Sequence, residues 1–198
     1  MASKNPDFKA RRAAVRKLDS KGAVAEYVDA AQRLVGDFPK RSAAWMELGI
    51  ALTYVARYDE ALRALNKSIR LMKPKYHALP YALKGDMYKA KGNYRLAEQW
   101  YRKAIDVDPC NADWWAFLGS VLARQGRLAE AKEVWRRQIR LGTGATDEGH
   151  LNLGYIYRSE QKYKIALRHA EKALAIDPKY KKAKSLRADL MNAMKKAR

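Results

Sequence analysis

Apolar residues recur along the chain at three- and four-residue spacing, the period of an amphipathic helix with one buried face. One block reads Ala44-Trp45-Met46-Glu47-Leu48-Gly49. It returns as Tyr81-Ala82-Leu83-Lys84-Gly85, as Trp115-Ala116-Phe117-Leu118-Gly119 and as His150-Leu151-Asn152-Leu153-Gly154, with the closing glycines 36, 34 and 35 residues apart. A second block follows each glycine: Tyr58-Asp59-Glu60-Ala61-Leu62, Tyr94-Arg95-Leu96-Ala97-Glu98, Leu128-Ala129-Glu130-Ala131-Lys132 and Tyr163-Lys164-Ile165-Ala166-Leu167. Each unit therefore predicts two helices. The glycines and the later alanines are small where those helices approach closely, and Trp45, Tyr81, Trp115, Leu65, Tyr101 and Trp135 are large enough to fill the space between units.

The breaks repeat as well. Turns such as Ala90-Lys91-Gly92-Asn93 and Arg124-Gln125-Gly126-Arg127 end the first helix of a pair. Pro39, Pro74, Pro109 and Pro178 separate the pairs, since proline cannot continue a helix interior. One unit closes instead on a glycine-rich turn at Gly142 and Gly144. No pair buries its apolar face alone; a stack does. The predicted fold is all-α.

These ordered positions resemble the tetratricopeptide repeat family: an aromatic, Leu-Gly, a tyrosine or apolar residue, alanine, an aromatic and a closing proline. The resemblance implies a single right-handed superhelical solenoid of helix-turn-helix pairs over residues 1–198. Its repeats fall at residues 42–77, 78–111, 112–146 and 147–180. A degenerate copy precedes them at 8–41, where Gly22, Ala31, Leu34 and Pro39 sit at the expected offsets but Val15 replaces the glycine and Tyr27 the alanine. Residues 181–198 form a capping helix, with Ala183, Leu186, Leu190 and Met194 as a narrow apolar stripe.

Composition narrows the class of partner. The 41 Lys and Arg against 21 Asp and Glu give a net charge of +20, while apolar residues make up 48% of the chain, too rich for disorder. Such a field draws in acidic protein segments and attracts nucleic acid without specificity. Residues 1–41 hold 10 basic and 5 acidic side chains, and residues 179–198 hold 8 and 1. The tail cluster Lys179, Lys181, Lys182, Lys184, Lys195, Lys196 and Arg198 is thus the densest basic patch. A single cysteine, Cys110, precludes an intrachain disulfide and fits a reducing compartment. No stretch approaches a membrane span and the first residues lack a signal-peptide core, so the expected location is cytoplasmic.

Chemistry is sparse. His77, His150 and His169 form no metal-ligand spacing, and His150 stands where the sister repeats carry Trp45, Tyr81 and Trp115, a packing position. Gly142-Thr143-Gly144-Ala145-Thr146 lacks the Gly-Lys-Ser/Thr signature of a phosphate loop. No enzyme, cofactor, metal or small-molecule substrate is expected.

The resemblance implies that the first helix of each pair lines a concave groove that docks a segment of another protein. Carried over by position, the groove residues are Lys9, Arg12 and Arg16; Ala43, Met46, Ile50 and Tyr54; Leu79, Ala82, Asp86 and Lys89; Asp113, Ala116, Ser120 and Arg124; and Glu148, Leu151, Tyr155 and Arg158. The arginines suit carboxylates of an acidic peptide. The two-carboxylate clamp of heat-shock co-chaperones is missing, because Met46, Ile50 and Leu83 occupy its positions. The alternative is RNA binding through the basic ends and the arginine-lined groove, although Asp86, Asp113 and Glu148 interrupt that charge.

Overall fold

The computed structural model describes residues 7–144 and 146–196. Every regular element among them is helical: α1 Phe8–Ser20, α2 Val24–Asp37, α3 Ser42–Tyr54, α4 Tyr58–Arg70, α5 Ala78–Ala90, α6 Tyr94–Val107, α7 Ala112–Arg124, α8 Leu128–Leu141, α9 Thr146–Ser159, α10 Tyr163–Ile176 and α11 Lys181–Lys196, with a 3-10 turn at Pro74–Tyr76. The chain divides into two compact units, Met1–Val107 and Asp108–Arg198.

In the first unit α1 packs on α2, α3 on α4 and α5 on α6, while α2 also meets α3 and α4 meets α5. The turn inside each pair needs one left-handed residue. Gly92 (φ +80°) and Gly126 (φ +76°) supply it without steric cost, whereas Ala56 (φ 57°) and Gln161 (φ 58°) hold the same conformation with a side chain. The close approach within α5 and α6 is set by Gly85, where a Cβ would lie 2.5 Å from the Tyr101 ring. In the α1–α2 pair the large and small positions are exchanged. Val15 stands where the others have glycine, and the wall opposite is Ala31, at the position of Leu65 and Tyr101; both are buried, as is Tyr27.

In the second unit α7 packs on α8, α8 on α9 and α9 on α10, and α11 lies against both α9 and α10. Ala170 holds the position that Leu65, Tyr101 and Trp135 fill elsewhere, so α10 brings no large side chain from that position over Gly154. Leu186 of α11 closes that space, 2.8 Å from where a Cβ on Gly154 would be. The stripe Ala183, Leu186 and Leu190 is fully buried by this docking, at 0–1% exposure.

Trp45, which packs against the core of the first unit, and Trp115 have a second role beside filling space. Both are half-buried, and their indole N–H groups donate to the carbonyls of Pro39 (2.8 Å) and Pro109 (2.9 Å). They pin the turn that precedes their own helix, satisfying a carbonyl that proline leaves without a helical partner.

Candidate functional site

The first unit contains a cleft of about 620 Å³. Its floor and one wall come from α3, where Ile50, Thr53 and Tyr54 share a face at three- and four-residue spacing. Leu83, Asp86 and Lys89 of α5 form the facing wall, and Asp19 from the last turn of α1 and Tyr58 from the first turn of α4 complete the rim. Ile50 and Leu83 are half-buried, while Tyr54 is 56% exposed and offers its ring to solvent.

The polar groups are arranged unevenly. The Tyr101 hydroxyl donates to Asp86 (2.7 Å), and the Lys89 ammonium pairs with the same carboxylate (3.0 Å). Burial, then the Asp86 charge, raises the Tyr101 phenol above its ordinary range. The Tyr54 phenol is raised too, first by burial, then by the charge of Asp19 and a hydrogen bond to it, with smaller contributions from Asp86 and Glu47. On α3, Glu47 is 2% exposed. It accepts from Arg12 Nε (2.7 Å) and from the Tyr27 hydroxyl (3.0 Å), which satisfies a buried carboxylate from two sides.

The cleft brings together four of the predicted groove residues: Ile50, Tyr54, Asp86 and Lys89. Others stand elsewhere. Met46, Ala82 and Leu151 are buried, at 6%, 1% and 2% exposure, because α3, α5 and α9 pack between neighbours and lose those faces to the core. Arg12 serves Glu47, so it is a structural cation. Arg16 is exposed on α1, as is Lys9, while Ala43 is half-buried and Leu79 exposed. In the second unit the Ser120 hydroxyl donates back to the Phe117 carbonyl (2.8 Å), and Arg158 pairs with Asp189 of α11 (3.1 Å). Arg124, Tyr155, Asp113 and Glu148 are exposed and Ala116 half-buried. The tail residues Lys179, Lys181, Lys182, Lys184, Lys195 and Lys196 are all exposed, and Arg198 lies outside the described residues.

Asp19, Thr53 and Tyr58 line the cleft without having been marked by position. A signal was available. Asp19, Thr53 and Lys89 each follow their repeat's Val15, Gly49 or Gly85 by four residues, so the register that marks Lys89 also marks the other two.

The histidines show a contact that spacing concealed. His150 of α9 and His169 of α10 meet Nδ1 to Nδ1 at 3.1 Å. His169 also stacks on Tyr157 at 5.4 Å between centroids. Burial lowers both imidazoles, His169 to about 4, and its other neighbours are the cations Lys172, Arg136 and Arg168. That surrounding is hostile to a metal ion, and among the described residues no three His, Cys, Asp or Glu converge. In the first unit Lys84 is buried, donates to Asn66 Oδ1 (3.0 Å) and lies 3.3 Å over the Trp100 ring; burial, then Lys103, lowers it to about 8. Cys110 is exposed. No helix among the described residues is long and apolar enough to cross a membrane.

Comparison with known proteins agrees with this architecture. The tetratricopeptide repeat pattern matches residues 40–109 and 147–180, and a TPR repeat pattern matches 85–137. The chain is 32% identical over 105 residues to human DnaJ homolog subfamily C member 7, covering 53% of this chain and 21% of that protein. It is 28% identical over 153 residues to anaphase-promoting complex subunit 3 of Schizosaccharomyces pombe, covering 75% and 23%. The chain thus spans about a fifth of the length of these relatives. Among solved structures, a thermophilic TPR protein of Thermus thermophilus superposes with a TM-score of 0.74 at 20% identity, over 93% of this chain and 99% of that one. MamA of Desulfovibrio magneticus gives 0.66 at 18% identity, over 88% and 97%. The repeat matches extend over well over half of the sequence, and the helix pairs, their close-packed glycines and their breaks are those the matches require: the chain belongs to the tetratricopeptide repeat family.

Proposed function

We propose that the chain is a protein-interaction scaffold that seats a segment of a partner protein in the cleft of its first unit. The observation that carries this is the cleft itself, an open volume of about 620 Å³ whose apolar wall residues, Ile50 and Leu83, face polar groups on the rim. A concave site with apolar walls and a few placed polar groups suits one or two anchor side chains of an extended or helical segment. The family's relatives support the coarser reading. A TPR structure with 18% identity and a TM-score of 0.60, YrrB, is described as having an unusual peptide-binding site, and Cut9, with 16% identity, is part of a hetero-tetramer with Hcn1. A non-enzymatic role accompanies the scaffold reading. A cytoplasmic setting suits the one exposed thiol, Cys110.

The acidic segment expected for the groove has weaker support there than on the tail. Arg12, Lys89 and Arg158 each already face a carboxylate, whereas the side chains of Lys181, Lys182 and Lys184 are exposed and form no ion pair among the described residues. Those lysines are also what favours the second reading, nucleic-acid binding.

The test is capture of partners from nuclease-treated lysate by the wild type and by an Ile50→Glu, Leu83→Glu variant, both checked for native helicity. Discrete proteins should be retained by the wild type and lost, by about tenfold or more, on the variant. Equal capture by both would remove the cleft from the account, and capture that collapses with nuclease would favour the tail and nucleic acid.

A further inference from the structure

We infer that the cleft of the first unit selects a lysine or arginine side chain of the docked segment, received by the Asp19 carboxylate. This rests on the scaffold reading and gives its partner a chemistry opposite to the one the chain's overall charge implies.

Asp19 lies in the last turn of α1, where the negative end of the helix dipole disfavours a carboxylate. No ion pair joins it to a basic side chain among the described residues, and its charge and hydrogen bonding act on the Tyr54 phenol, which they help to raise. The other cleft carboxylate is already engaged, since Asp86 accepts from Tyr101 and pairs with Lys89. Asp19 therefore contributes negative charge that no basic side chain offsets among the described residues and helix α1 does not favour. It does so in a chain of net charge +20, so the sign of this rim is not an overflow of the general composition.

The walls fit the rest of such a side chain. Ile50 and Leu83 can take the methylene stem of a lysine or arginine while its head stays at the polar rim. The Tyr54 and Tyr58 rings offer faces to a cation, and Tyr58 already has the Lys91 ammonium 5.9 Å from its centroid. An arginine can also meet a carboxylate through two parallel hydrogen bonds. A glutamate in the same place would meet Asp19 and Asp86 as like charges.

The experiment is methyl NMR of the full chain, following Ile50 and Leu83 during titration with short glycine–serine–alanine peptides that carry one central arginine, lysine, leucine or glutamate. The arginine and lysine peptides should shift both methyl groups to saturation, and Asp19→Asn should weaken them about tenfold. That substitution removes a charge from the unfavourable end of α1, so the fold should persist, which the spectrum itself reports. Shifts by the leucine peptide alone, or arginine binding unaltered by Asp19→Asn, would overturn the cation selectivity and leave the docking cleft standing. Preference for glutamate would overturn it as well. Silence of both methyl groups with all four peptides would remove the cleft as a docking site, and the scaffold reading of this unit with it.

Discussion

The Tyr101 ring fills the volume that any side chain at residue 85 would enter, and its hydroxyl holds Asp86 at 2.7 Å. Tyr101 is 0% exposed, so neither the ring nor the hydroxyl has room to retreat. Gly85→Ala should therefore destabilise the first unit by about 1–3 kcal/mol, the overpacking exceeding the roughly 1 kcal/mol gained in helix propensity. Urea unfolding measures this; a variant as stable as wild type would mean that α5 and α6 separate freely. At this scale the small positions were legible because glycine recurs at the same register four times. The cleft charges were legible only in part. Lys89 and Asp86 fall on a recognised face, but Asp19 sits in the copy whose glycine is Val15, where the register is hardest to read. Arg12 was legible as a position and not as a role, because its partner Glu47 is 35 residues away and becomes a buried carboxylate only after α1 and α3 pack.

Between elements, the α9–α10 contact joins two imidazoles in a setting that opposes their protonation. Helical spacing along one helix cannot reveal this, since His150 and His169 are brought together by the antiparallel pair. The His169 imidazole is pushed from the ordinary 6.5 down to about 4 by burial and then by His150, Lys172, Arg136 and Arg168. The unfolded chain takes up that proton as pH falls through 6.5, and the folded chain resists until about 4. Stability is thus complete above the upper value and declines as pH falls through the window. Thermal melts from about pH 7 to about 4.5 should show a falling Tm, with a shallower fall in His169→Phe, which keeps a ring against Tyr157. Equal slopes in the two proteins would assign the acid sensitivity to other groups. Helix α11 gives the complementary lesson. Its stripe Ala183, Leu186, Leu190 was readable from spacing, whereas the reason Leu186 is needed is Ala170 on another helix, a missing volume that shows only once α10 and α11 are packed.

For the whole molecule, the charge and the proposed docking cleft are distributed differently. The net charge of +20 gathers most densely on the exposed lysines between Lys179 and Lys196, while the cleft of the first unit carries Asp19 and Asp86 against one lysine. Two kinds of partner chemistry are therefore presented by one chain: a diffuse cationic surface, sensitive to salt, and a shaped cleft in which contact geometry decides. The proposed docking belongs to the second. The most direct measurement is site-specific photocrosslinking in cells that express the chain, with a benzophenone side chain at Thr53 inside the cleft and, as control, at the exposed Arg63 of α4. Discrete protein adducts from residue 53 that are absent from residue 63 are the predicted result. The same adducts from both positions, or no protein adduct from residue 53, would contradict it.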